Sequence, residues 1–134
     1  MGDYYVFVDV DCEIKPNALT EVASFLTQNP SIGGLQMKLI RARDNRIDSV
    51  GTFLSFIGYP YELGSGYPAS SFSHPRPILG AKTAGFAIRR HVFETIGGFD
   101  ERYLVHGEDV VVFHEQLVYS VWRYFRSSKW IQFI

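Results

Sequence analysis

Two acidic pairs are the parts of this chain whose residue types and spacing can do chemistry. Asp9 and Asp11 flank Val10 directly after the apolar run Tyr4, Tyr5, Val6, Phe7, Val8. If the chain stays extended there, residues two apart point the same way, and both carboxylates address one point. Two hard oxygen donors suit Mg²⁺ or Mn²⁺, which bind phosphates through a few carboxylates and keep other positions for water and substrate. Such a metal can neutralise a diphosphate leaving group as charge builds on it. The bland alternative is a turn or helix-cap device. The second pair, Glu108 and Asp109, follows Gly107. A carboxylate in a cleft can act as general base towards a hydroxyl nucleophile. Its plain alternative is a carboxylate at a helix N-terminus, which attracts negative charge.

Other reactive side chains offer less. His74, His91 and His106 have no companions at metal-ligand spacing and read as structural. Arg89 and Arg90 form a basic pair that can touch phosphate or simply stand solvated at a helix start. The lone cysteine, Cys12, lies between Asp11 and Glu13. A reactive thiol needs basic surroundings, so Cys12 reads as a small hydrophobe, in a chain suited to a reducing compartment.

Elements must position these groups. Residues 4–8 are aromatic or β-branched and predict a strand buried on both faces at the heart of a sheet. Ligands of open α/β folds gather at the C-terminal edge of such strands. Leu19, Val22, Phe25 and Leu26 recur at helical spacing, with Pro16 suited to the first turn and Asn29-Pro30 as the stop. Residues 34–40 read as a strand, 43–46 as a polar turn and 47–53 as a short strand. Residues 59–77 hold several prolines, glycines and serines and read as one long loop, a length that is usually functional or mobile. Residues 89–96 predict a short helix stopped by Gly97 and Gly98. From residue 110 a strand over 110–113 competes with a helical pattern, and a helix is expected from about Glu115.

With 134 residues there is room for about one domain. A hydrophobic share of 46% with 20% charged residues excludes disorder. The net charge of −1 gives no basic field for nucleic acid. No apolar run reaches the roughly 18 residues of a membrane span, and no secretory leader is visible. A cytoplasmic protein is expected, with contact to the inner face of the cell membrane as an option.

Taken in order, the segments resemble family-2 glycosyltransferases, which have the Rossmann-like GT-A fold. Val6-Phe7-Val8-Asp9-Val10-Asp11 resembles the strand and Asp-x-Asp motif that hold the metal and the sugar nucleotide. Gly80-Ala81-Lys82-Thr83-Ala84-Gly85-Phe86-Ala87-Ile88-Arg89-Arg90 is similar to the segment lining donor sugar and acceptor. Val92-Phe93-Glu94-Thr95-Ile96-Gly97-Gly98-Phe99-Asp100-Glu101 resembles that family's helix and loop, and Gly107-Glu108-Asp109-Val110 its Glu-Asp motif. The resemblance implies a partial GT-A fold of class α/β, a mixed sheet with flanking helices, over residues 1–114. It implies Asp109, with Glu108, at the catalytic base position, and donor or acceptor contacts at Asp9, Gly80, Ala81, Lys82, Gly85 and Arg89. A Mg²⁺ or Mn²⁺ site would lie at Asp9, Asp11 and His114. Partners so implied are a nucleotide-diphosphate sugar and a glycan or lipid-linked acceptor.

The chain departs from that pattern twice. Few residues precede the first strand, where the family carries its nucleoside-binding half, so the chain is expected to be incomplete as a stand-alone enzyme, either complemented by a separate chain or shortened from a larger gene. After Glu108-Asp109-Val110 the sequence runs at once to Val111-Val112-Phe113-His114, as though a helix and strand were excised. Residues 115–134 are expected to form a basic aromatic helix. Within 119–134, Arg123, Arg126 and Lys129 interleave with Trp122, Tyr124, Phe125, Trp130 and Phe133, a mixture suited to a membrane surface or to packing on the core. Three readings remain open: a sugar transferase, a non-catalytic accessory module with an acceptor half, and a metal-dependent phosphohydrolase, ranked last because it lacks extra His or Asp ligands.

Overall fold

The computed structural model describes residues 2–99 and 131–133. The aromatic and β-branched run near the start forms β1 (Tyr4–Val8). The helical apolar spacing becomes α1 (Ala18–Gln28), which buries Val22 and Leu26. Leu19 stays 48% exposed, so the buried stripe is narrower than the pattern suggests. Pro16 stands just before the N-cap Asn17 rather than inside the first turn. Asn29 closes the helix, its side-chain amide donating to the Phe25 carbonyl at 2.8 Å.

The expected strand over 34–40 is two strands, β2 (Gly34–Gln36) and β3 (Leu39–Arg41). The polar turn after it leads to β4 (Arg46–Ser49), with Asn45 left-handed at φ 53°. The strand expected over 47–53 also divides, and β5 (Thr52–Leu54) follows a break at Gly51. Gly51 has φ 130°, and a Cβ there would run into Ile78, so the chain must bend on a glycine. The predicted long loop is partly ordered: it contains β6 (Pro60–Glu62) and the start of β7 (Arg76–Ile78). Next come β8 (Gly85–Arg89) and α2 (Arg90–Ile96), the latter ending on left-handed Gly97 as the paired glycines predict. The last described segment is β9 (Ile131–Phe133), a strand where the C-terminal segment was expected to be helical. The rest of that segment lies outside the described residues.

Five strands form one mixed sheet in the order β1-β8-β2-β9-β7. β8 runs antiparallel to both β1 and β2, β2 is parallel to β9, and β7 is antiparallel to β9. Two hairpins, β3-β4 and β5-β6, make separate two-stranded sheets. Mixed sheets with two helices among the described residues agree with the expected α/β class. β1, however, lies at a sheet edge with Val6 38% exposed, not buried between neighbours.

Side chains alternate along β8, and this divides the core. Ala87 joins Val22, Leu26, Ile32 and Leu35 under α1. Phe86 and Ile88 point the other way, into a cluster with Ile47, Val50, Ile78 and Ala81.

Candidate functional site

Strand pairing decides which groups meet. Val8 lies opposite Gly85, and Gln36 opposite Phe86. The Met37 amide donates to the Gly85 carbonyl at 2.7 Å. The C-terminal ends of β1 and β2 and the start of β8 therefore share one edge of the sheet.

The first acidic pair stands at this edge. The chain does not stay extended beyond Val8. It turns at once, the Cys12 amide donating to the Asp9 carbonyl at 3.0 Å, with Val10 wholly exposed. Asp9 and Asp11 thus ride on a tight turn, which corrects the extended geometry expected for them. Both are exposed, and among the described residues neither forms an ion pair. Asp11 Oδ1 accepts a weak bond from Cys12 Sγ at 4.0 Å. Among the described residues no group of three or more His, Cys, Asp or Glu side chains is arranged to hold a metal.

Other charges converge from distant sequence. The Cys12 thiol is held above its ordinary value, first by partial desolvation, then by the Asp11 and Asp9 carboxylates, with a further contribution from Asp48 on β4. Asp48 in turn binds Lys82 Nζ at 2.9 Å. With about a third of each side chain exposed, such a pair contributes only about 0–1 kcal/mol and yields readily to a competing anion. Lys38, just past β2, donates its ammonium to the carbonyls of Ala69 at 3.1 Å and Ser71 at 2.7 Å. Burial first, then repulsion from Lys15, lowers its pKa. Lys38 thereby ties the long loop to the same edge.

Beneath these charges runs a buried polar network. Fully buried Gln36 accepts the Lys82 backbone amide at 2.8 Å and donates to Ser49 Oγ at 3.0 Å. Ser49 donates to Glu62, which also accepts from Thr52 Oγ1 at 2.9 Å. A buried amide that satisfies both its oxygen and its nitrogen holds one geometry, because a broken partner would leave a desolvated polar group.

The residues expected to line donor and acceptor divide accordingly. Lys82 stands at the site edge. Gly80 is buried and pairs with Thr52 through two backbone bonds, of 2.9 and 3.0 Å. Ala81 is 2% exposed in the core. Gly85 is closely packed, and a Cβ there would sit 2.7 Å from Leu39 Cδ2 and displace the end of that side chain. Arg89 lies at the opposite end of β8, paired with Tyr4. Its guanidinium donates to the carbonyls of Ile32 at 2.8 Å, Asn29 at 3.2 Å and Leu26, so it closes the C-terminus of α1 and stands apart from the Asp9 turn. Glu108, Asp109 and His114 lie outside the described residues. Sequence reasoning missed Gln36, Lys38 and Asp48. A glutamine inside the otherwise apolar Gly34-Leu35-Gln36-Met37 stretch was the one available signal.

Among the described residues, no helix is long and apolar enough to cross a membrane. Comparison with known proteins finds one informative similarity. Over 117 residues the chain is 33% identical to the O-antigen biosynthesis protein RfbC of Myxococcus xanthus, a match covering 81% of this chain and 9% of that protein. The chain thus spans about a tenth of the relative's length. No family model matches the chain, and no solved structure matches it.

Proposed function

We propose that this chain is the acceptor-side part of a nucleotide-sugar-dependent glycosyltransferase that works in polysaccharide biosynthesis. The observation that carries the reading is the pairing of Val8 with Gly85, which sets the Asp9-Asp11 turn beside the Lys82 segment. These are the two motifs that the resemblance assigns to metal, donor and acceptor. The similarity to a protein named for O-antigen biosynthesis supports the pathway class.

In this reading Asp9 and Asp11, with His114, hold Mg²⁺ or Mn²⁺, and the ion supplies charge neutralisation for a diphosphate leaving group. Lys82 exchanges Asp48 for a phosphate oxygen of the donor. Asp109, flanked by Glu108, takes the proton of an acceptor hydroxyl. The hydroxyl oxygen bonds to the anomeric carbon in line as the bond to the nucleoside diphosphate breaks, inverting the configuration. Positioning and charge stabilisation supply most of the acceleration. The acceptor is a glycan or a lipid-linked glycan, used at the inner face of the cell membrane.

Calorimetry with UDP- and GDP-sugars in the presence of Mn²⁺ tests the donor step, and heat that disappears in Asp9→Asn or Asp11→Asn is expected. Silence at millimolar ligand would favour an accessory module without catalysis. Asp109→Asn is expected to abolish transfer while sparing donor binding; retained transfer removes Asp109 from the base role.

A further inference from the structure

The β5-β6 hairpin ends in a tip that nothing in the proposed reaction uses. Phe56 is 100% exposed, Ile57 64% and Tyr59 70%, with Tyr61 at 48% on the adjoining strand. From Ser49 through Tyr61 no residue carries a formal charge. An isolated exposed hydrophobe is ordinary, but a contiguous group on one projection marks an interaction surface.

The tip is rigid by construction. The Ser55 amide donates to the Tyr59 carbonyl at 2.8 Å, the Gly58 amide to the Ser55 carbonyl at 2.9 Å, and the Tyr59 amide to Ser55 Oγ at 3.0 Å. Gly58 has φ 84°, and a Cβ there would meet only open space, so backbone conformation and not crowding calls for glycine. Phe53 and Tyr61 brace the stem with ring centroids 6.2 Å apart. Phe56 and Ile57 are therefore carried on a turn closed by the bonds of Ser55, Gly58 and Tyr59.

We propose that this tip inserts into the interfacial layer of a neutral lipid bilayer. Area argues against a stable protein partner: the exposed side chains offer roughly 550 Å², about two thirds of what one side of a stable protein interface uses. Chemistry argues for lipid. Phe56 and Ile57 occupy the turn, the exposed Tyr59 and Tyr61 follow them in sequence, and rings with a polar tip beside wholly apolar side chains are what membrane interfaces favour. The uncharged tip gains nothing from anionic headgroups, so zwitterionic lipid suffices. The inference goes beyond the transfer reaction and does not depend on it.

The experiment is co-sedimentation of the full chain with phosphatidylcholine vesicles at low and high salt. The wild type is expected to partition onto them with little salt dependence. The double variant Phe56→Ser/Ile57→Ser, altered only at exposed tip positions, is expected to keep the wild-type far-ultraviolet spectrum. It should lose about a hundredfold in partitioning, about tenfold for each side chain withdrawn from the interface. Failure of the wild type to bind overturns the proposal. So does unchanged binding by the double variant, binding only to anionic vesicles that salt abolishes, or a self-association removed by the same substitutions without any vesicle binding. None of these results bears on donor binding, which is measured without lipid.

Discussion

Tyr5 joins the edge strand to α2 through a single hydroxyl. Its Oη donates to Glu94 Oε1 at 3.1 Å, and its ring packs edge-on against Phe93 at 5.3 Å. The phenol pKa is raised above 10.0, first by partial desolvation, then by the bond to Glu94 and that carboxylate's charge, with Arg90 acting in the opposite sense. The folded state thus holds this proton more tightly than the unfolded chain. The resulting stability is fully present below the unfolded value near 10 and is lost as pH rises through the higher folded value. With eight tyrosines in the chain, the wild type minus Tyr5→Phe difference in phenolate absorbance isolates this group. Its titration is expected above that of a free tyrosine, and stability in the wild type should decline more steeply above pH 10 than in the variant. A difference curve centred at the ordinary tyrosine value would show that neither the burial nor the bond matters in solution.

At the scale of elements, Arg89 illustrates what local pattern reveals and what it conceals. The strand at residues 4–8, the helix around Val22 and Leu26, and the helix stopped by Gly97 are all legible, because near neighbours decide them. The division of 34–40 and 47–53 into paired strands is not, because it rests on contacts such as Gly51 against Ile78 from another strand. Arg89 reads in sequence either as a phosphate contact or as a solvated residue at a helix start. Only the antiparallel pairing of β8 reveals that it stands at the end opposite the Asp9 turn, where the carbonyls of α1 need donors. A cation at a helix C-terminus also complements the helix dipole. Arg89→Met is therefore expected to lower stability by roughly 2 kcal/mol, the order of a lost set of charge-assisted bonds, and to reduce hydrogen-exchange protection in the last turn of α1. Arg89→Lys keeps the charge but not the planar fork, so it should restore less than half of the loss. If urea denaturation found Arg89→Met as stable as the wild type, the guanidinium would be idle there.

At the scale of the whole molecule, the site edge depends on how three separate sheets are held together. Gln36 belongs to the large sheet, Ser49 to the β3-β4 hairpin, and Thr52 and Glu62 to the β5-β6 hairpin. Their side chains form one continuous path from the Lys82 amide to Thr52. Apart from Gln36 in its apolar stretch, no sequence pattern marks this path, since its members come from different elements. Glu62→Gln keeps the shape but replaces one accepting oxygen by a donor, and Ser49 Oγ already accepts from Gln36 and from the Gly51 amide, the latter at 3.1 Å. One of the two hydroxyls, Ser49 or Thr52, then faces an amide NH2 in place of its acceptor, which is expected to lower stability by about 1–3 kcal/mol. Gln36→Leu removes the other end and strands the Lys82 amide. Gln36 and Glu62 share no direct bond, yet both act on Ser49. A double-mutant cycle should therefore show a coupling of about 0.5 kcal/mol or more by chemical denaturation. Strict additivity would mean that the polar path is not cooperative, and the sheets would then be joined by apolar packing and by backbone bonds such as those of Thr52 with Gly80, with Lys82 held by Asp48 rather than by the path.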